Sequence, residues 1–350
     1  MKRITLFIVI IALLAVVPLQ AQDVSRVGTG AAQFLKVGMG ARAAALGNTA
    51  VACEGDISGL YWNPAGIASM DRVTVGLTQN KLYADISYNF VAAVVPLGHG
   101  SALGVSALYM DSGDIEITTL TSPDGTGSYF QWEAFAIGLT YSRYVTNALS
   151  LGGTVKYVQE GAYFMKAKTI AFDLGSLLDT GLLGLKLGMG LGNFGSDMSL
   201  SGSSLRVIHK RWENNPGALT TEAYLKTEKY PLPLVIRMGL STDLVGTNGQ
   251  LLKSESNRIT VSADAYDSND ALMQSNYGIE YEWNNILALR GGFRGVSVEK
   301  DEFDSYDTAS FSVGAGIKYD LSFMHVQFDY AYSDYQILGG TQQISVILAF

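Results

Sequence analysis

From Arg72 to the end of the chain, apolar and polar positions alternate in short segments separated by turn residues. In one such segment, Phe311, Val313, Ala315, Ile317 and Tyr319 alternate with Ser310, Ser312, Gly314, Gly316 and Lys318. Successive side chains of a strand point to opposite faces, so this period of two predicts β-strands with one apolar face. Fourteen strands are predicted, at 72–79, 86–98, 100–111, 129–144, 147–160, 166–179, 182–194, 230–243, 255–267, 272–284, 285–295, 307–319, 322–334 and 340–350.

The polar face of these strands consists mostly of Gly, Ser and Thr, whereas the outer face of a soluble β-sandwich is rich in Lys and Glu. Charged residues make up 16% of the chain, below the roughly 25% of soluble domains, and there are 39 Gly and 19 Tyr. The composition and the even strand number predict an all-β fold, a 14-stranded antiparallel transmembrane β-barrel with lipid outside and a lumen inside. Tight connections mostly alternate with longer ones, and both chain ends are expected on the short-turn, periplasmic side.

The first 21 residues have the pattern of a secretory signal peptide. Met1-Lys2-Arg3 is basic, 4–19 is an apolar run, and Ala21 suits a cleavage position. No later stretch is long and apolar enough for a helical span, so a closed barrel is the remaining way to cross a membrane. A net charge of −8 argues against a nucleic-acid partner, and a single Cys excludes a disulfide scaffold.

Residues 22–71 precede the barrel and are rich in Gly and Ala. About fifty residues cannot form an independent core, and a fourteen-stranded barrel is wider than its own side chains can fill. We therefore expect 22–71 to form an N-terminal hatch, or plug, in the lumen, where small residues let the backbone approach the wall. The predicted organisation is a signal peptide at 1–21, the hatch at 22–71 and an outer-membrane barrel at 72–350.

Short motifs in this segment resemble the N-terminal signature of the PorV/PorQ family of outer-membrane proteins. The motifs are Phe34-Leu35-Lys36-Val37-Gly38, Ala41-Arg42-Ala43, Leu46-Gly47, Val51-Ala52 and Tyr61-Trp62-Asn63-Pro64-Ala65-Gly66, with Pro231-Leu232-Pro233 as a similar feature before a strand. These proteins resemble the long-chain fatty-acid transporter (FadL-like) barrels, and the Asn-Pro-Ala-Gly element is similar in both groups. The resemblance implies a fourteen-stranded barrel with a hatch, in the outer membrane of a Gram-negative-type bacterium.

Two sets of candidate residues follow for the barrel interior. Within the family motifs, we predict that Arg42, Gly47, Asn63, Pro64 and Gly66 position or gate the hatch. Six charged residues on the polar face of the strands are predicted to line the lumen: Arg237, Arg258, Asp264, Arg290, Lys318 and Asp329. They form either a polar channel or ion pairs between hatch and barrel. The second interpretation is favoured because a wide lumen next to a plug needs satisfied polar contacts.

The predicted loop 195–229 is longer than ordinary connections and is a candidate binding loop. It contains a basic and aromatic cluster that includes His209, Arg211, Trp212 and Tyr224. Such a cluster suits contact with a protein or a lipid headgroup. A surface loop without a binding role fits the sequence equally well.

The sequence offers little support for enzymatic chemistry. Gly190-Leu191-Gly192-Asn193-Phe194-Gly195 matches a dinucleotide-binding pattern but has no βαβ unit around it. The three His residues are far apart in sequence, and no Cys pair or His-Glu-x-x-His motif is present. Asp301, Glu302, Asp304 and Asp307 lack the spacing of a calcium loop. We expect no enzyme activity, no cofactor and no metal.

The resemblance leaves two functions open. PorV-type members imply work in type IX secretion, where the barrel receives a cargo protein's C-terminal signal domain and passes it to a complex at the cell surface. FadL-like relatives imply uptake of hydrophobic small molecules. The first hypothesis is therefore a barrel that binds secreted cargo or secretion-complex proteins, and the alternative is a transporter. A passive porin is disfavoured by the hatch. Expected partners are outer-membrane lipid and these proteins or small molecules.

Overall fold

The computed structural model describes residues 28–210, 220–297 and 309–350, and within them a fourteen-stranded antiparallel barrel closes on itself. The signal peptide predicted at 1–21 lies outside these residues. The barrel strands are β1 Thr74–Lys81, β2 Ser87–Gly98, β3 Ser101–Asp111, β4 Trp132–Tyr144, β5 Leu149–Ala162, β6 Met165–Asp179, β7 Lys186–Gly195, β8 Val235–Gly246, β9 Asn257–Ser268, β10 Ala271–Trp283, β11 Leu287–Ser297, β12 Ser310–Leu321, β13 Met324–Asp334 and β14 Gly340–Ala349. Each strand pairs with its neighbours in sequence, and β14 pairs with β1 to close the ring.

Lipid-facing and lumen-facing residues alternate as predicted. On β12, Phe311, Val313 and Ile317 are exposed on the outside of the barrel, while Ser310 and Ser312 are buried inside. Apolar side chains on the outer face can contact lipid chains, which polar side chains cannot do favourably. The alternation therefore identifies the membrane-facing wall. The all-β, fourteen-stranded prediction is confirmed.

Some predicted boundaries were wrong for identifiable reasons. The strand predicted at 230–243 begins at Val235, because Pro231 and Pro233 have no N–H to donate to a ladder. The strand predicted at 129–144 begins at Trp132. Tyr129–Phe130 pairs instead with Ile115–Glu116 in the preceding loop.

The other described elements are short. The helices are α1 Ala41–Ala45 and α2 Gly59–Trp62, with 3-10 turns at Gln33–Lys36, Pro64–Ser69, Ser203–Leu205 and Gln336–Leu338. Additional strands are Ser201–Gly202, Leu252–Lys253 and a two-stranded ribbon of Arg206–Lys210 with Thr220–Tyr224. Of the helices in the described residues, none has the length and apolarity needed to span a bilayer.

Residues 28–71 run through the lumen and pack against the inner wall, and we call this described segment the hatch. It starts beside Pro231 and Asp270, which belong to the end of the barrel that carries the long loops. Both chain ends were expected at the short-turn end, so this expectation was wrong for the described start of the chain. Phe350 does lie at the short-turn end, where its N–H donates to the Val73 carbonyl.

Pairs of glycines directly opposite each other on neighbouring strands receive the hatch backbone. The pairs are Gly278 with Gly292, Gly188 with Gly239, and Gly152 with Gly175. A Cβ at Gly292 would collide with the backbone of Leu46 and Gly47, and a Cβ at Gly188 would collide with that of Val51 and Ala52. The hatch therefore docks by backbone contact on bare patches of the wall.

These patches predict a position-specific cost of adding a side chain. Gly292→Val places its side chain where the Leu46–Gly47 backbone lies, and overpacking of this kind costs about 1–3 kcal/mol of unfolding free energy. Gly291→Val is the matched control, because nothing lies within 4 Å of its Cβ position. Urea unfolding of both variants in lipid vesicles measures the difference. Equal stability of the two variants would contradict docking on the Gly278–Gly292 patch.

Candidate functional site

The centre of the lumen holds a buried charge network that joins the hatch to the wall. Arg42, on α1, donates from Nε and Nη2 to the two Glu280 carboxylate oxygens at 2.9 and 2.6 Å. Its Nη1 donates to Asp56 Oδ2 at 3.1 Å. A bidentate guanidinium–carboxylate pair fixes direction as well as distance, so Arg42 sets the position of α1 against β10.

The wall side of this network is paired without the hatch. Arg290 on β11 is fully buried, and donates from Nε to Glu280 and from Nη1 to Asp329 on β13, both at 2.6 Å. Gln327 donates to the second Asp329 oxygen at 2.6 Å. The predicted lumen residues Arg290 and Asp329 are thus brought together. Glu280 was not predicted, although Ile279 and Tyr281 on the outer face mark it as inward-facing.

Two more predicted lumen residues, Arg258 and Lys318, form a separate network nearer the short-turn end. Arg258 pairs with Asp243 at 3.1 Å and with Glu282 at 3.3 Å. Lys318 donates to the other Glu282 oxygen at 2.6 Å. The remaining two, Arg237 and Asp264, contact the hatch. Asp264 Oδ2 accepts from Ala50 N and Val51 N.

The Trp-Asn-Pro-Ala-Gly segment of the hatch is held from several sides. Asn63 donates from Nδ2 to the Val51 carbonyl at 2.7 Å and to the Ser176 carbonyl on β6 at 2.9 Å. Its Oδ1 accepts from Ala65 N, which caps the 3-10 turn that Pro64 begins. The missing N–H of Pro64 costs nothing at this first position. Gly66 is required because a Cβ there would lie 2.7 Å from the Cys53 carbonyl.

Gly47, the remaining hatch residue predicted from the motifs, has a left-handed backbone with φ +68°. This conformation costs an L-residue more than it costs glycine. Its Cα hydrogens also face the Phe293 backbone, which a Cβ would strike. The structure therefore gives each predicted hatch residue a positioning contact.

The long-loop end of the hatch is fastened by polar contacts. Ala32 N donates to Glu160 at 3.0 Å, and Lys36 Nζ donates to both Asp270 oxygens at 2.9 Å. Burial alone would raise the pKa of Asp270, but hydrogen bonds from Ser268, Lys36 and Gln33 lower it by more. The pKa of Asp270 is therefore below its usual value. Asp270 is therefore ionised near neutral pH and accepts these bonds as a carboxylate.

A polar cavity of about 400 Å³ lies at the short-turn end, between the lower surface of the hatch and the wall. Its lining includes Glu54, Asp71, Arg72, Arg258 and Lys318. Glu54 accepts from the Tyr144 hydroxyl and from Lys186 Nζ, so the hatch is also attached to the wall here. Charged walls favour water and polar solutes over hydrocarbon.

The upper part of the lumen between β2 and β6 is apolar and filled. Phe34 and Leu35 of the hatch pack in one cluster with Phe90, Leu108 and Val158 of the wall. The Tyr88 hydroxyl donates to the Phe34 carbonyl at 2.7 Å. Hatch side chains therefore occupy the apolar space of the barrel.

The predicted loop cluster is only partly described. His209 and Tyr224 lie on opposite strands of the ribbon and are exposed, and Arg211 and Trp212 lie outside the described residues. The acidic cluster at 301–307 also lies outside them. Gly190 and Gly192 of the dinucleotide-like pattern lie on β7, where a Cβ at Gly190 would lie 3.3 Å from the Trp62 carbonyl. This is a backbone packing contact.

Removing the Arg42 charge should cost more stability than removing an exposed one. Arg42→Gln leaves Asp56 buried without its cation, and breaking a buried pair in this way costs about 3 kcal/mol of unfolding free energy. Arg206→Gln, which breaks an exposed pair with Glu222, is the control and should cost less than about 1 kcal/mol. Chemical unfolding of both variants measures this. A smaller loss for Arg42→Gln than for Arg206→Gln would contradict its anchoring role.

The long-loop fastening should be sensitive to acid. A carboxylate whose pKa is lowered by folding stabilises the fold above its unfolded pKa, and this contribution is lost as pH falls through the folded value. We therefore expect the protection of the 31–37 amides, measured relative to their intrinsic exchange rate at each pH, to be high from pH 5 to 8 and to fall below the usual Asp pKa of 3.8. In the Asp270→Asn variant these amides should be less protected at every pH and should lose the part of the pH dependence that comes from Asp270. The variant thereby separates the contribution of Asp270 from that of Glu160. An unchanged pH profile in Asp270→Asn would refute this assignment.

Two groups of known proteins are similar to this chain, one by sequence and one by fold. Residues 20–173 match the family described as "Type IX secretion system protein PorV", and no curated protein matches the chain by sequence. The Pseudomonas putida toluene transporter TodX is 13% identical with a TM-score of 0.56, covering 89% of this chain and 97% of its own. A Pseudomonas aeruginosa FadL homologue is 12% identical with a TM-score of 0.52, covering 89% and 98%. Residues 20–173 are therefore similar to the PorV family, and the barrel has the same fold as TodX and the FadL homologue.

Proposed function

We propose that this barrel acts in type IX secretion by binding cargo or partner proteins at its long-loop end, and that it does so without catalysis. The match of 20–173 to the PorV family supports a role in this pathway.

The observation that carries this location is the exposure of apolar side chains on the long loops. Leu120 and Ile337, on two different loops, are almost fully exposed, and Ile208 and Tyr224 of the ribbon are exposed by about two thirds. Exposed apolar groups of this kind suit contact with another protein. The short turns also expose apolar groups, such as Leu182 and Phe323, but the long loops carry them on segments long enough to form a binding surface. Tyr224 can also supply a hydroxyl to such a contact, as interface tyrosines commonly do.

Transport of hydrophobic small molecules is the alternative, and the fold is compatible with it. TodX, which has this fold, is a toluene transporter. In this chain, however, the apolar part of the lumen is filled by Phe34 and Leu35, and the cavity below the hatch is lined by charged residues. These features favour protein binding over passage of hydrocarbon.

The proposal is tested by purifying the tagged protein from outer membranes in mild detergent, followed by mass spectrometry of proteins and lipids. Secreted proteins that share a C-terminal domain, or a surface protease, should co-purify. Recovery of fatty acids or other apolar compounds without such proteins would overturn the proposal in favour of transport.

A pair of substitutions in the ribbon tests whether the binding surface lies at the long-loop end. Ile208→Glu with Tyr224→Ser should reduce co-purified protein about tenfold, as expected when central interface contacts are lost. Leu182→Glu is the control, because Leu182 is equally exposed but lies in a short turn at the opposite end. Equal loss in both variants would refute the long-loop location.

A further inference from the structure

Arg237 on β8 and Asp264 on β9 are buried opposite charges that do not pair with each other. Each residue is only 5% exposed. Arg237 Nε and Asp264 Oδ1 are both buried and have no hydrogen-bond partner among the described residues. A buried charge without full pairing is costly, so this arrangement requires an explanation.

The two residues are diagonal neighbours on the same inner face. Asp264 is directly opposite Gly239, and Arg237 lies two residues before Gly239. Diagonal positions on antiparallel strands lie within reach of a long side chain. Gly239 places nothing between them, and the position of its missing Cβ is 2.8 Å from Val51 Cβ and 3.0 Å from Ala52 N. The hatch covers the surface across which Arg237 and Asp264 would meet.

The hatch also supplies the contacts that hold the two side chains apart. Asp264 Oδ2 accepts from Ala50 N at 2.8 Å and from Val51 N at 3.0 Å. Arg237 Nη1 donates to the Tyr61 carbonyl at 3.3 Å, and its guanidinium lies 5.1 Å from the Tyr61 ring and 5.4 Å from the Trp62 ring. If the hatch left, both charges would lose these contacts at once.

The other charges of the central wall each keep at least one charged partner when the hatch is removed, although Glu280 would lose Arg42 and keep only Arg290. Glu280, Arg290 and Asp329 are all barrel residues and pair with one another. Lys156 and Asp173, also on the wall, pair at 2.8 Å. Arg42 and Asp56 both belong to the hatch and would leave together. Among the central wall charges in the described residues, Arg237 and Asp264 are the two that would be left without a charged partner.

We propose that Arg237 and Asp264 form a latent ion pair, which closes across Gly239 when the hatch leaves this part of the wall. When the hatch is out of the lumen, this ion pair gives each of the two charged side chains a partner. In the plugged barrel the same two residues bind the hatch, so one pair of side chains stabilises both states. The hatch is therefore a removable element.

The chain contains its own reporter for this movement. Cys53, its single cysteine, lies in the hatch two residues after Val51 and is half-buried beside the polar cavity. Burial raises the pKa of the Cys53 thiol to about 12, which slows its reaction with a maleimide while the hatch is in place. A bulky PEG-maleimide added to the folded full-length mature chain in lipid vesicles then reports the fraction of time that the hatch is out.

The experiment is a double-mutant cycle on the rate of this modification. Asp264→Asn keeps an oxygen to accept from Ala50 N and Val51 N but cannot form the ion pair, so it should slow modification about tenfold. In an Arg237→Gln background the same substitution should have almost no effect. Arg237→Lys, which keeps a charge that can reach Asp264, should preserve most of the sensitivity to Asp264→Asn. Cys53→Ala controls for background labelling, and heat-modifiable gel mobility confirms that each barrel is folded.

Two outcomes would overturn the proposal. If Asp264→Asn accelerates modification, Asp264 only holds the hatch in place. If it changes the rate equally in the wild-type and Arg237→Gln backgrounds, the two residues act independently. Neither result depends on a cargo protein, so the test is separate from that of the proposed function.

Discussion

The structure depends on how a barrel of fourteen strands fills its lumen. Such a barrel is too wide for its inward side chains to meet at the centre, and an open lumen would hold water against every inward group. The hatch solves this by running from the long-loop end to the short-turn end, where β1 begins at Thr74. The glycine pairs on the wall follow from this solution, because a hatch of about forty residues reaches most of the strands only if its backbone lies directly on them.

The filled lumen has two chemically different sides. Between β2 and β6, hatch and wall form an apolar cluster around Phe34 and Leu35. Between β8 and β13 they are joined by Arg42, Glu280 and the groups around them. The apolar side stabilises the docked hatch by hydrophobic burial, which does not depend on direction. The charged side fixes the position of the hatch, because its hydrogen-bonded ion pairs require a defined geometry. Together they hold the hatch in one place without a covalent link to the wall beyond Val73.

The sequence predicts the wall better than the interior. The strands could be read from alternation because lipid imposes an apolar outer face along every one of them. The Pro231–Pro233 segment could have been excluded from β8 by the same rules, since neither proline can donate to a ladder. The direction of the hatch could not be predicted, because it depends on contacts such as that of Ala31 N with the Pro231 carbonyl, 200 residues away. The glycine pairs could not be predicted either, because the sequence does not show which residues lie opposite each other on neighbouring strands until the register is known.

The charged residues show the same limit at single positions. The sequence pattern predicts a lumen-facing position for six charged residues, but the partner of each one depends on register. They are Arg237, Arg258, Asp264, Arg290, Lys318 and Asp329. Glu280 and Glu282 complete the networks, and both alternate with exposed Tyr281 in the pattern that identified the others. What sets Arg237 and Asp264 apart is that neither has a charged partner in the plugged barrel, and the hatch lies over the space across which we propose that they pair. A wall whose other central charges each keep a charged partner, and which holds this one pair apart, is suited to losing its hatch and taking it back.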